Sequence, residues 1–142
     1  MQEDYMISIV GKQQIDGETG EIRIDTLGSY VKKGDHWYIA YKEYDEDDPN
    51  RYQTSILKVE RNDKMTLMRD NSATRLILEK GKRHFCQYDT GYGQLMVGVF
   101  TSSFSSNLDE RGGSLRVRYT LDINSSLSSN NEISVTIKEA AK

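Results

Sequence analysis

Apolar and polar residues alternate with a period of two along nearly all of this 142-residue chain. This is the pattern of a half-buried β-strand, and no long segment keeps the 3.6-residue period of an amphipathic helix. The clearest run contains Leu115, Val117 and Leu121 on one face and Arg116 and Arg118 on the other. Short turn sequences rich in Gly, Asn and Asp separate the runs, and alanine occurs only four times. The sequence therefore predicts an all-β protein built from hairpins.

The runs predict nine or ten strands joined by short turns. The interpreted strands cover residues 5–12, a second run from residue 21, then 37–43, 53–60, 64–69, 74–79, 83–90, 94–103, 114–124 and 133–138. Gly28 lies inside the second run, where a bend or bulge is expected. Residues 102–113 are polar and are predicted as the longest loop, with one helical turn near 107–111. Residues 125–131 are predicted as a turn.

Consecutive hairpins with one apolar and one polar face describe an up-and-down antiparallel sheet. Because so long a sheet would expose its edges unless it curled, the prediction is a single closed or nearly closed antiparallel up-and-down barrel of 8–10 strands. A β-sandwich is the alternative, with residues 102–113 as the crossover. The strands nearly exhaust the chain, so residues 1–142 are expected to form one β-barrel domain.

Composition excludes several classes of protein. No apolar run approaches the ~20 residues of a membrane helix, and the acidic N-terminus lacks the layout of a secretory signal. One cysteine makes no internal disulfide, and a net charge of -3 argues against a basic nucleic-acid footprint. We therefore expect a cytoplasmic protein without a membrane partner, and nucleic acid is disfavoured as a partner.

Three segments resemble the YwiB-like family, an uncharacterised bacterial group with a calycin-like (lipocalin-like) β-barrel. They are Tyr38-x-x-Tyr41-x-Glu43, Tyr88-x-Thr90-x-Tyr92-Gly93 and Gly113-x-Leu115-x-x-x-Tyr119-x-Leu121. The resemblance implies an intracellular barrel of eight to ten strands. It implies no reaction, because the family has no established activity.

Tyrosines and an isolated charge pair mark the candidate ligand site. Nine tyrosines occur against one tryptophan, and several lie in the segments just quoted. Arg69 and Glu43 each extend an otherwise apolar face, so both are expected near an end of the barrel interior. An internal Arg–Glu pair, or exposure at the rim, is favoured over an anionic ligand on Arg69. The predicted ligand-binding residues are Tyr41, Glu43, Arg69, Tyr88, Thr90, Tyr92 and Tyr119.

Other chemistries have weaker support in the sequence. Cys86 and His84 share a strand face, but no third group orients them as a nucleophile and base. The acidic residues of segment 43–48 do not match a calcium loop, and two histidines with one cysteine supply no zinc spacing. Arg116 and Arg118 form an outer basic face without an RNA-binding motif. No catalytic residue, metal site or cofactor is therefore predicted.

The sequence favours a non-enzymatic barrel that binds a small polar or amphipathic ligand in its interior. The alternative is an interaction module whose barrel is filled by side chains. Its partner would be a protein, or less plausibly RNA. An interior volume well under ~300 Å³ would count against ligand binding.

Overall fold

Ten β-strands follow one another, and hydrogen bonds join each to the next in a closed antiparallel barrel whose last strand returns to the first. The computed structural model describes residues 4–45, 47–69, 74–89, 93–123 and 126–140. The strands are β1 (Tyr5–Ile15), β2 (Glu18–Lys33), β3 (His36–Tyr44), β4 (Tyr52–Glu60), β5 (Lys64–Arg69), β6 (Arg75–Glu79), β7 (Arg83–Asp89), β8 (Gln94–Asp109), β9 (Gly112–Ile123) and β10 (Ser126–Glu139). The prediction of a closed, all-β, up-and-down barrel is confirmed.

The barrel interior is built from the apolar side of each alternating run. Ile7 in β1, Ile39 in β3, Leu57 in β4, Val99 in β8 and Val117 in β9 are completely buried. Each lies two residues from another inward-facing residue, because successive strand residues point to opposite faces of a sheet. The described residues include no helix long and apolar enough to cross a membrane.

Gly28 is not a bulge, which was one of the two alternatives, a bend or a bulge, predicted there. The pairing of β1 with β2 continues through Tyr5↔Gly28 without a shift of register. A β-carbon at Gly28 would lie 2.3 Å from Ile7 Cδ1 and 2.5 Å from the Ala40 carbonyl oxygen. The glycine is required because neighbouring strands approach this position too closely for any side chain.

The predicted long loop at residues 102–113 is also wrong. Strand β8 runs on to Asp109, with one irregularity of register between Thr101 and Ser103, and only Glu110 and Arg111 form the turn. Phe104 is buried and its neighbours Ser103 and Ser105 are exposed. The serines therefore lie on the outer face of a strand. Their polar character suggested a loop and hid the alternation of buried and exposed residues along β8.

The predicted turn at residues 125–131 is likewise wrong from Ser126 onward, because β10 begins there. Asn130 and Asn131 already pair with Thr120 and Tyr119 of β9. Asn130 and Asn131 also pair with Gln14 and Gln13 of β1. Pairing on both edges keeps this polar segment extended, although its residues favour turns in isolation.

Candidate functional site

A cavity opens at one end of the barrel, among residues of β1–β3, β5–β7, β9 and β10. Its volume is about 440 Å³. We call it the end cavity. Much of its wall is aliphatic, contributed by inward-facing positions of six strands. These residues are Ile9, Ile24, Leu67, Leu76, Leu121 and Ile133.

Five of the seven predicted ligand-binding residues line this cavity. They are Tyr41, Glu43, Arg69, Tyr88 and Tyr119. The other two, Thr90 and Tyr92, lie outside the described residues. The described part of the predicted set is therefore brought together in one place, from β3, β5, β7 and β9.

Glu43 is the centre of the polar cluster. Its Oε2 accepts hydrogen bonds from Ser55 Oγ at 2.8 Å, Gln53 Nε2 at 3.1 Å and Arg69 Nε at 3.2 Å. The Glu43 and Arg69 side chains are 17% and 26% exposed, so water screens their ion pair only partly. The internal Arg–Glu pair expected from the sequence is present.

Strand register explains why these side chains meet. Tyr41 lies opposite Ser55 across β3 and β4, and Ser55 lies opposite Arg69 across β4 and β5. Glu43 lies opposite Gln53 in the same β3–β4 ladder. Residues directly opposite on neighbouring strands share a face with their β-carbons close together. Three adjacent strands thus assemble the cluster from positions far apart in sequence.

Two of the cavity tyrosines, Tyr41 and Tyr119, have a raised pKa. Burial, with a further contribution from the Glu43 carboxylate, raises the pKa of Tyr41 to about 12, although Arg69 and a hydrogen bond with Ser55 oppose the shift. Burial and the neighbouring Tyr88 raise the pKa of Tyr119 to about 12. A protonated phenol donates one hydrogen bond. The end cavity therefore presents phenol O–H and guanidinium N–H donors beside an aliphatic wall.

Most of this barrel sequence matches a known protein family. Residues 7–135 match the model of the family described as Domain of unknown function (DUF1934). The chain belongs to this family. It is 26% identical over 108 residues to the uncharacterized β-barrel protein YwiB of Bacillus subtilis (strain 168), an alignment that covers 76% of this chain and 74% of that protein.

The crystal structure of the ywiB protein from Bacillus subtilis has the same fold. It superposes with a TM-score of 0.81, covering 96% of this chain and 92% of that chain at 21% identity. Membership of the DUF1934 family thus indicates the fold of this chain but indicates no activity. The chemistry of this member rests on its own residues.

Two members of the polar cluster, Gln53 and Ser55, are absent from the sequence-based prediction. Ser55 is completely buried and shares the inward face of β4 with Leu57 and Val59. A polar residue that continues an apolar face was the available signal, and it is the same signal that identified Arg69 and Glu43.

The rim of the cavity, formed by β1, β2 and β10, is also missing from the prediction. Lys12 and Glu21 face each other there across β1 and β2, and Ile22 lines the opening with its side chain largely exposed. Strand β1 continues past the predicted residue 12 to Ile15, and β2 begins at Glu18, before the predicted residue 21, so only Asp16 and Gly17 form the turn. The longer hairpin extends the cavity wall beyond the aliphatic core.

Cys86 and His84 have separate partners in this DUF1934 barrel. The His84 ring lies 3.0 Å from Glu79 Oε1, and this hydrogen bond is the main cause that lowers the pKa of Glu79. Cys86 Sγ accepts a hydrogen bond from the Ile77 backbone N–H at 3.3 Å, and burial raises the pKa of the thiol. A raised pKa disfavours the nucleophilic thiolate at neutral pH.

Carboxylates of the acidic loop accept backbone hydrogen bonds, and the outer basic face is partly neutralised by an acidic neighbour. Asp45 and Asp48 accept hydrogen bonds from the backbone N–H groups of Asp47 and Asn50 at 2.8 Å and 3.0 Å. On the outer wall, Arg116 and Arg118 both approach Glu132, at 3.5 Å and 3.0 Å. Among the described residues, no group of three or more His, Cys, Asp or Glu side chains is placed to hold a metal ion.

Proposed function

We propose that this DUF1934 protein binds a small amphipathic molecule in the end cavity. The observation that carries the proposal is the coexistence of an aliphatic wall and a partly buried polar cluster around one volume of about 440 Å³. This lies within the range of ~300–1,000 Å³ typical of small-molecule sites, which are mostly apolar with a few placed polar groups. The proposed role needs no reaction, and we propose a cytoplasmic location for it, in keeping with the intracellular location that the family resemblance implies.

The first test places a large side chain in the cavity by substituting a residue that lines it. A β-carbon at Gly11 would meet no other atom within 4 Å, so Gly11→Trp directs an indole into the end cavity without displacing the backbone. Ser105→Trp places the same side chain at an exposed position of β8 and serves as the matched control. Both variants are compared with the wild type by thermal shift against a metabolite library, and by native mass spectrometry after purification without denaturation.

A ligand specific for the folded state stabilises it by about 2.7 kcal/mol at a hundred times its Kd. We expect compounds that raise the unfolding temperature of the wild type and of Ser105→Trp, but not of Gly11→Trp. A retained small molecule should show the same dependence in the mass spectrum. Equal responses in all three proteins, or no bound molecule and no responding compound in the wild type, would contradict the proposal.

A second candidate function is association through the outer wall of β7 and β8. Phe85 of β7 and Met96 of β8 are 67% and 56% exposed there, and Phe100 of β8 lies on the same outer face. The Arg83 guanidinium stacks on one face of the Phe85 ring at 4.5 Å. If this surface joins two copies of the chain, sedimentation velocity at rising concentration should show a dimer that Phe85→Ser abolishes. A monomer at all concentrations would remove self-association from consideration.

A further inference from the structure

We infer that the molecule bound in the end cavity carries an oxyanion headgroup (carboxylate, sulfonate or phosphate) on an apolar body, with the headgroup held by Arg69 and the cavity tyrosines. This inference rests on the proposed function and specifies its ligand class. It follows from counting which polar groups around the cavity still have a free donor or acceptor.

One oxygen of the Glu43 carboxylate, Oε2, is already occupied. Glu43 Oε2 receives three hydrogen bonds, one of them from Arg69, so its charge is largely compensated within the protein. A ligand cation would have to compete with these donors for Glu43. Binding a positively charged group at Oε2 would therefore displace hydrogen bonds that the protein already makes.

The donors, in contrast, are incompletely used. Arg69 contacts Glu43 through Nε, and among the contacts of the described residues its Nη groups, which carry most of the guanidinium N–H bonds, make no hydrogen bond. Tyr88 and Tyr119 line the same cavity, and no side-chain hydrogen bond joins either hydroxyl to another described residue. A guanidinium edge together with phenol O–H groups is a geometry suited to the oxygens of an anion.

Charges at the rim cancel locally, so they do not reverse this preference. Lys12 lies directly opposite Glu21 in the β1–β2 ladder. Glu132, which also lines the rim, is bound by Arg118 and approached by Arg116 from the outer wall. The donors of Arg69, Tyr88 and Tyr119 that remain unused consequently determine the charge of the favoured ligand.

The experiment uses two fluorescent probes with the same apolar body. One is 1-anilinonaphthalene-8-sulfonate, which carries a sulfonate, and the other is the neutral N-phenyl-1-naphthylamine. Both are titrated into the wild type, Gly11→Trp and Ser105→Trp. We expect the wild type and Ser105→Trp to bind the sulfonate at least about tenfold more tightly than the neutral probe, and Gly11→Trp to bind neither.

The contribution of Arg69 is tested in the double variant Glu43→Gln/Arg69→Gln, which replaces Glu43 by its isostere and Arg69 by a shorter neutral amide. Removing both charges together leaves no unpaired ion in the partly buried cluster. We expect sulfonate affinity to fall about tenfold while affinity for the neutral probe changes less than about twofold. The single variant Glu43→Gln keeps the guanidinium, and it should retain the preference for the sulfonate. It reports on the headgroup even if the double variant folds poorly.

The outcomes separate the two proposals. Equal affinity for both probes, with Gly11→Trp blocking both, would overturn the oxyanion inference and leave the proposed cavity function in place. Failure of both probes to bind, or binding that Gly11→Trp does not reduce, would overturn cavity binding and the inference together. A sulfonate preference that survives Glu43→Gln/Arg69→Gln would overturn the assignment to Arg69.

Discussion

At the scale of single residues, Ser55 links the parts of the end cavity. It is completely buried, donates a hydrogen bond to Glu43 and lies opposite Tyr41 on β3. Arg69 lies opposite it on β5. A buried hydroxyl that satisfies several neighbours holds them in one arrangement, whereas an unpaired one would destabilise the fold. Ser55 therefore positions the polar cluster without facing a ligand.

The cavity tyrosines lead to a prediction about alkaline stability. Tyr41 and Tyr119 have a pKa of about 12 in the folded protein against 10.0 for a free side chain. Between these values the unfolded chain loses protons that the folded protein keeps, so the free energy of unfolding falls as the pH rises. The loss should reach about 2 kcal/mol for each tyrosine and be absent below pH ~9.

This prediction is measured by urea unfolding of the wild type and Tyr41→Phe/Tyr119→Phe at several values between pH 9 and 12. The double variant should show a clearly shallower decline with pH. The same decline in both proteins would show that these two phenols do not govern alkaline stability.

At the scale of elements, close strand approach determines where glycine is required. Gly28 lies between Ile7 of β1 and Ala40 of β3 with no room for a β-carbon, and Gly11 faces open space in the cavity. We expect Gly28→Ala to lower the free energy of unfolding by about 2–3 kcal/mol, because backbone and buried side chain must both move. Gly11→Ala, the matched control, should be neutral or stabilising by up to about 1 kcal/mol.

Equilibrium unfolding in urea measures both glycine variants. Similar free energies for Gly28→Ala and Gly11→Ala would contradict the close approach of β1, β2 and β3. This result would also revive the interpretation of Gly28 as a bulge, where an alanine is tolerated more easily.

At the scale of the whole molecule, the closure of the barrel is uneven. The ladder between β1 and β10 runs from Tyr5↔Glu139 to Gln14↔Asn130. In the described part of the chain, β6 and β7 share the single ladder pair Arg75↔Gln87, and the Ile77 N–H binds a thiol in place of a carbonyl. Few backbone hydrogen bonds across one seam make that seam the expected site of local opening.

Hydrogen exchange measured by NMR tests this expectation. The Ile77 amide should exchange at least about a hundredfold faster than the Val135 amide, which lies in the middle of β10. Cys86→Ala removes the thiol acceptor and should accelerate Ile77 further while leaving Val135 nearly unchanged. Equal protection of the two amides would show that the barrel opens only as a unit.

Much of the barrel was predictable because strand residues alternate in and out regardless of their partners. The bounds of β5 were predicted to the residue, and most other strands within a few residues. The prediction failed at β8 and β10, where serines and asparagines suggested loops. There, pairing with neighbouring strands overrides local preference, and a single sequence does not contain that information.

Alternation along the chain by itself determined that this protein is all-β and favoured a barrel over a sandwich, and polar residues on apolar faces identified Arg69 and Glu43. Only the tertiary structure decided that Tyr41, Ser55 and Arg69 lie side by side and that a cavity of about 440 Å³ remains open at that end of the barrel. It also decided that the strands around Gly28 lie too close together for a side chain. The physical reason is that periodicity fixes which way a side chain points, whereas register and curvature between strands fix what it meets.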